Sequence, residues 1–397
     1  MTLDRKCDRV LLAATFILMG VGILMVYSST SVITPTLAKR NVSEYYYLKK
    51  HIFTMIMGLG VMFAAYRVNP DNLKKLSIPM LVASLVLLLL VFVPGLGVTA
   101  GGARRWLRLW PSTFQPSEFV KLAMVIFLAW YISSENINKK RFAFFAIPIV
   151  IMGMFQVVFL KQPDFGAALS LGVLTVGMLF IAGVPAKYLA SLVVLVIPVV
   201  IKLLTEPYRL KRITAFLDPW EHAHDSGFQL VQSFIALGNG GLMGVGLGQS
   251  RQKLDFLPEL HTDFIFSIVG EELGFIVATF VVVLFAVIFI RGMAIANRAG
   301  NGFRHFLCFG LSMMLAFQAL VNFMVVVGLL PTKGLPLPFL SYGGSALLVN
   351  MAAVGILLNV SRLNPQEADP RLSHSKNQIE ELMKRKMAKR SVYGAKH

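Results

Sequence analysis

The sequence predicts an all-α polytopic membrane protein of ten transmembrane helices with one large extracytoplasmic loop. Three observations carry that prediction. Of 397 residues, 56% are apolar and only 15% are charged, whereas a soluble domain carries about 45–50% apolar and ~25% charged residues. Apolar runs close to the ~20 residues needed to cross the hydrocarbon recur along the whole chain, and mean hydropathy is +0.68. The basic residues sit mostly between those runs.

The expected spans are residues 10–33, 52–68, 76–94, 114–132, 142–160, 165–184, 188–204, 264–290, 303–330 and 337–360. The first follows Arg5, Lys6 and Arg9 without a clear small-residue cleavage site, so it reads as a retained anchor and not a signal peptide. The second is the weakest, bracketed by Lys49, Lys50 and Arg67, with Tyr45, Tyr46 and Tyr47 as its interfacial belt. Between the seventh and eighth spans, residues 205–262 form the one long connection, and a loop beyond ~12–15 residues is uncommon unless it has a function. Within it, Leu210, Ile213, Phe216 and Leu217 share a helical face, as do Phe228, Val231, Phe234 and Ile235, which predicts two short amphipathic helices around a turn at Asp218-Pro219-Trp220. Residues 1–363 are then one membrane domain and 364–397 a basic cytoplasmic tail.

An even number of spans puts both termini on one side, and the positive-inside rule selects the cytoplasm. That leaves a surplus of basic residues outside, including Arg104, Arg105 and Arg108 in a glycine-hinged loop with Trp106 and Trp110. Their guanidinium forks suit phosphate oxygens, either of an outward-facing anionic substrate headgroup or of ordinary lipid. For Lys49, Lys50 and Lys202 the expected role is snorkelling beside headgroups. A net charge of +18 distributed this way does not indicate nucleic-acid binding. Two cysteines and seven scattered histidines offer neither a disulfide framework nor metal-ligand spacing. The glycines 240, 241, 244 and 246 match no nucleotide-loop pattern and point to close helix packing or backbone approach to a ligand.

Ionisable residues in or at the edge of a span are the functional candidates. Glu118 and Asp164 each follow a proline at a helix opening, where a carboxylate complements the dipole. Lys121, one turn after Glu118, forms with it either a buried structural bridge or the floor of a polar cavity. Asp263 sits at the outer boundary of the eighth span beside His261, placed either to cap the helix or to take a proton from a hydroxyl. For Glu271 and Glu272, two turns deeper, packing is favoured over a proton path.

The strings Gly-Gly-Ala-Arg-Arg-Trp-Leu at 101–107, Phe-Gln-Pro-Ser-Glu-Phe-Val-Lys-Leu at 114–122 and Gln-Pro-Asp-Phe-Gly at 162–166 resemble the SEDS (shape, elongation, division and sporulation) proteins of bacteria. So do His-Thr-Asp-Phe-Ile-Phe at 261–266 and Pro-Phe-Leu-Ser-Tyr-Gly-Gly-Ser at 338–345, where Ala346 departs from a frequent second serine. Residues 216–220, 246–253 and 330–334 are similar to the septal FtsW branch of that family. The resemblance implies a ten-span peptidoglycan glycosyltransferase of cell division in the inner membrane that polymerises lipid II on the outer face, inverting the anomeric carbon and releasing undecaprenyl pyrophosphate. It implies Asp263 as base, with Glu118, Lys121, Asp164 and Trp106 lining the cavity beneath. Arg104, Arg105 and Lys253 are added as pyrophosphate contacts. The implied partners are a class B penicillin-binding transpeptidase, other divisome membrane proteins and membrane lipids. A divalent cation, Mg2+ or Mn2+, assists some relatives, although no ligand set is legible. A lipid II flippase and a non-catalytic divisome scaffold are the alternative readings of the same spans.

Overall fold

The computed structural model describes residues 7–30, 45–100, 102–109, 112–134, 141–204, 207–253, 262–300, 302–332 and 334–363. The expected tail at 364–397, and with it Trp110, His261 and Lys333, lies outside these. Twelve α-helices are described: α1 (Arg9–Thr30), α2 (Tyr46–Arg67), α3 (Pro70–Leu90), α4 (Pro116–Ile132), α5 (Phe142–Lys161), α6 (Phe165–Ile181), α7 (Ala186–Leu204), α8 (Pro207–Leu217), α9 (Phe228–Gly240), α10 (Ile265–Arg298), α11 (Phe303–Val326) and α12 (Gly344–Arg362). Every expected span falls on one of them, and α8 and α9 are the two short helices of the long connection. Seven helices among the described residues are long and apolar enough to cross a membrane, and α6 is a shorter apolar helix.

Helix α4 is the centre of the bundle. Apolar on every side, it buries 15 of its 17 residues, as expected for a core helix, and packs against α3, α6, α11 and α12. Lipid-facing character goes to the outer helices, where Ile56, Phe63, Val82, Val150 and Val157 stay exposed. The N-terminal end of α1 meets the last turns of α10 and α12. There Asp8 pairs with Arg291, and its backbone N–H donates to Ser361. The opposite end of the bundle holds the starts of α4, α6, α10 and α12.

Two differences from the expected pattern bear on the site. Within the stretch expected as a glycine-hinged loop, residues 103–109 are instead the middle strand of an antiparallel sheet of β1 (Gly97–Ala100), β2 (Ala103–Leu109) and β3 (Ser112–Phe114). Trp106 faces Val98 beside a bulge, and Leu107 pairs with both Gly97 and Phe114. The tenth run also becomes helical only at Gly344. Its first residues, 337–343, are irregular chain, with Leu337, Phe339 and Leu340 buried in the protein, the condition under which non-helical backbone is tolerated at membrane depth.

The glycine-rich stretch after α9 packs on a break in α10. Gly274 has φ 79 and ψ 178, a conformation only glycine adopts readily, so the α10 ladder is interrupted there. The broken ladder is completed from outside: Val245 N–H donates to Glu271 O (2.9 Å), Gly246 to Glu272 O (3.0 Å), and Phe275 N–H to Gly241 O (2.9 Å). A side chain at Gly244 would collide with the Glu272 carbonyl. Close packing against α10 is what Gly240 and Gly244 serve.

Candidate active site

The site is assembled where four helices begin and one irregular segment crosses them. Asn322 of α11 donates from Nδ2 to the carbonyls of both Asp263 (2.7 Å) and Leu335 (2.8 Å). One turn earlier, Gln318 donates to Pro336 O (2.9 Å). Ser341 Oγ receives the Leu337 N–H (2.8 Å) and donates to the Thr262 carbonyl. Segment 334–343 is thereby tied to Thr262–Asp263, fixing the backbone that carries the candidate base. The Asp263 side chain is half-buried and abuts Gly334, where an added Cβ would lie 3.1 Å from Oδ2. Phe264, not Asp263, occupies the N-cap position of α10, and it supplies no side-chain cap.

Beside this backbone lies a cavity of about 190 Å³, walled in part by Trp106, Gln115, Thr262, Pro336 and Tyr342. Its other wall is formed by Lys50, His51 and Thr54 of α2 and by the first residues of α12. Asp164 stands one hydrogen bond behind the lining, and Lys121 and Glu118 stand further back, linked to it through Gln318. Lys121 bridges Glu118 at 2.8 Å and donates to Gln318 Oε1 at 3.2 Å, and Gln318 in turn holds Pro336. Both ions of the bridge are buried, so removing one partner strands the other at a cost of ~3–5 kcal/mol. Asp164 is the N-cap of α6: Oδ1 accepts from Ala167 N–H (3.1 Å), and Oδ2 from Gln115 Nε2 (3.3 Å) and Ser117 Oγ (3.4 Å).

The three expected pyrophosphate contacts are engaged elsewhere. Arg104 donates to the Phe92 (3.2 Å) and Val93 (2.9 Å) carbonyls, which ties the sheet to the chain leaving α3. Arg105 donates to the carbonyls of Gln162 (3.2 Å) and Pro163, at the turn between α5 and α6. Lys253 is turned inward, its side chain fully buried in an ion pair with Glu272 and a hydrogen bond to Ser28 of α1. Glu271 accepts from Ser250 Oγ and from Arg251 N–H (3.3 Å), so both expected packing carboxylates do bond to neighbouring segments. Among the described residues no group of three or more His, Cys, Asp and Glu gathers as a metal site, and the cavity lining holds no carboxylate. These residues do not form a divalent-cation site, and no chemical step is assigned to one.

Gln318 and Asn322, uncharged residues inside an apolar stretch, carry no sequence signal for these roles, and Ser341 stands out only as part of the string at 338–345. Lys50, expected to snorkel at the interface, and His51, without a sequence signal, both line the cavity.

The family model described as "Cell cycle protein", covering FtsW, RodA and SpoVE, matches residues 9–366. The chain is 43% identical over 358 residues to a Geobacter sulfurreducens protein named "Probable peptidoglycan glycosyltransferase FtsW", covering 90% of this chain and 95% of that one. It is 40% identical to stage V sporulation protein E of Bacillus subtilis, covering 89% and 97%. Among solved structures, one described as "Structural coordination of polymerization and crosslinking by a peptidoglycan synthase complex" superposes with TM-score 0.74 at 28% identity, covering 90% of this chain and 98% of that one. The rod shape determining protein RodA of Thermus thermophilus superposes with TM-score 0.65 at 27% identity, covering 90% and 97%.

Proposed function

Because the chain belongs to the FtsW/RodA/SpoVE family of cell cycle proteins, we infer that it is a multi-pass membrane peptidoglycan glycosyltransferase of cell division whose substrate is lipid II. The finer reading is a ten-span protein of the inner membrane, acting at the septum with both termini in the cytoplasm and its cavity opening outward. The common end of the bundle that gathers the candidate site, the sheet and the starts of α4, α6, α10 and α12 supports that orientation.

In the proposed reaction a sugar 4-hydroxyl of one lipid-linked disaccharide attacks the anomeric carbon of another. The new C–O bond forms as the bond to pyrophosphate breaks with inversion, and the hydroxyl proton passes to the Asp263 carboxylate. The observation that carries this assignment is the clamped backbone of Thr262–Asp263. Thr262 lines the cavity, and Ser341 and Asn322 fix the Thr262 and Asp263 carbonyls on either side of the Asp263 Cα, which is how a base is held to a productive position. Trp106 supplies an apolar wall for a sugar face, while Glu118, Lys121 and Asp164 stiffen the structure behind it. Arg104 and Arg105 act by holding the sheet over the helix ends.

The structural relative's stated coordination of polymerisation with crosslinking supports pairing with a class B penicillin-binding transpeptidase, within a larger set of divisome membrane proteins. Reconstitution of the purified chain with lipid II tests the activity. Glycan polymer is the expected product; transbilayer movement without polymer would identify a flippase, and neither would leave a scaffold.

A further inference from the structure

The outer cavity has a second wall that the proposed proton transfer does not use. His51, on α2, is 1% exposed, yet it lines the cavity with its Nε2 buried and unpartnered among the described residues. A buried polar atom without a partner costs about 1–3 kcal/mol, so a group placed in the cavity that pairs with it recovers that loss. Lys50, its chain neighbour, brings a positive charge to the same wall.

Facing them is the start of α12, a helix of 19 residues. Gly343, Gly344, Ser345 and Ala346 all line the cavity. Gly343 at the N-cap has no side chain to satisfy the first-turn N–H groups, and the Leu347 N–H is the donor that returns to Gly343 O (2.9 Å). The preceding helical amides therefore lack intrahelical acceptors and carry the positive end of the dipole. Ser345 Oγ is occupied in receiving the Gln115 N–H at 2.8 Å, which joins α4 to this wall. A lysine, a buried imidazole and a helix N-terminus thus converge on a cavity without a lining carboxylate. That is the chemistry of an oxyanion site.

We propose that Lys50, His51 and the N-terminus of α12 form a site for a phosphate oxyanion, with the His51 imidazole donating from Nε2. Two sources share that chemistry, the pyrophosphate of a polyprenyl-linked sugar and the phosphate of an outer-leaflet anionic phospholipid. Assigning the first rests on the lipid II reading above; the site itself does not.

The test is binding of inorganic pyrophosphate to the purified full-length protein in phosphatidylcholine nanodiscs, measured by calorimetry without turnover. His51→Phe keeps a ring against Tyr342, now at 6.0 Å between centroids, but removes the donor, whereas His51→Gln returns an N–H. Pyrophosphate affinity should fall about tenfold or more in His51→Phe, as for loss of one charge-assisted hydrogen bond, and recover to within about threefold in His51→Gln. Lys50→Gln should weaken binding as His51→Phe does, and serves if the latter misfolds. With phosphatidylglycerol in the nanodisc, weakened pyrophosphate binding to wild type would identify the phospholipid as an occupant. No effect of phosphatidylglycerol, with competition by polyprenyl pyrophosphate, would identify the glycosyl donor. Wild-type pyrophosphate affinity in folded His51→Phe and Lys50→Gln overturns the site even if the protein polymerises lipid II. Intact, His51-dependent binding in a protein that makes no polymer keeps the site and removes the polymerase reading.

Discussion

The carboxylates of α10 and the groups around the outer cavity are both drawn from the same ends of the bundle, but they differ in how their polar atoms are paired. Glu272 is enclosed by Lys253, Ser28 and the Ser250 amide, and Glu271 by Ser250 Oγ and the Arg251 amide. Around the cavity, His51 Nε2, Glu118 Oε2 and Asn322 Oδ1 are buried without a partner among the described residues. A saturated set returns the cost of desolvating its charges within the fold and holds the glycine-rich loop against α1 and the break in α10. An unsaturated set leaves part of that cost unreturned within the fold. The two regions therefore differ in the pairing of their polar atoms, although both lie in apolar surroundings.

The largest expected effect comes from changing the cavity side of this contrast. Asp263→Asn should fold and insert normally while polymerising lipid II ~10²–10⁴-fold more slowly, the range for losing a general base, or ~3–5 kcal/mol of barrier. Asp263→Glu should fall between. Because Phe264 holds the N-cap position, a capping explanation would need Asp263→Ala to lower the melting temperature, which is not expected. Near-wild-type polymerisation by Asp263→Asn would move the base assignment to Glu118 or Asp164.

On the saturated side the loss should be in folding, not chemistry. Lys253→Met leaves Glu272 buried without its counter-ion, a change worth ~3–5 kcal/mol, read as a lower unfolding temperature in detergent. Combining it with Glu272→Leu should recover most of that loss, since a buried pair replaced by apolar groups of similar volume is often neutral. If Lys253→Met instead keeps its melting temperature and loses polymerisation, the lysine contacts substrate as its sequence position suggested, and the contrast is broken.

What the sequence made legible follows from which interactions are local. Apolar runs of helical length located every described span, and the acids after prolines located Glu118 and Asp164, because helix capping is written within four residues. The sheet was hidden because its strands are short and its alternation is interrupted by adjacent arginines, Arg104 and Arg105. The carbonyls those arginines hold lie 11, 12, 57 and 58 residues away, a distance at which no spacing rule operates. Gln318 and Asn322 were illegible for a different reason: an amide in an apolar helix has no charge to mark it, and its partners, the carbonyls of segment 334–343, come into reach only after that segment folds across the bundle.

Asp164 gives a smaller test on the border between the two classes, since its oxygens are satisfied yet it holds Gln115 of the cavity wall. Alanine should cost about 1 kcal/mol through the lost cap and asparagine a few tenths. Thermal unfolding checks the order. A large loss of polymerisation in a stable Asp164→Asn would place this carboxylate in the chemistry and move it to the cavity class.

A further effect, on stability alone, is expected at the opposite end of the bundle, where Asp8 extends the saturated class beyond the candidate site. Burial pushes its carboxyl upward, but the Arg291 guanidinium, bonded through both Nε and a terminal nitrogen, and the Leu11 amide outweigh this and hold it below the usual 3.8. A group lowered on folding contributes stability that is present above its unfolded value and is lost as pH falls through the folded one. The tether between α1 and α10 should therefore be intact from pH 5 to 8 and weaken below about pH 4. Asp8→Asn should lower stability by ~1–2 kcal/mol at pH 7, the scale of a charge-assisted bond at a partly exposed arginine, and by less at pH 3.5. Unfolding temperatures of both proteins across pH 3.5–7 decide the matter. A gap near zero at every pH would mean that Asp8 holds α1 by accepting from the Leu11 N–H, a bond that asparagine keeps, and not by its charge.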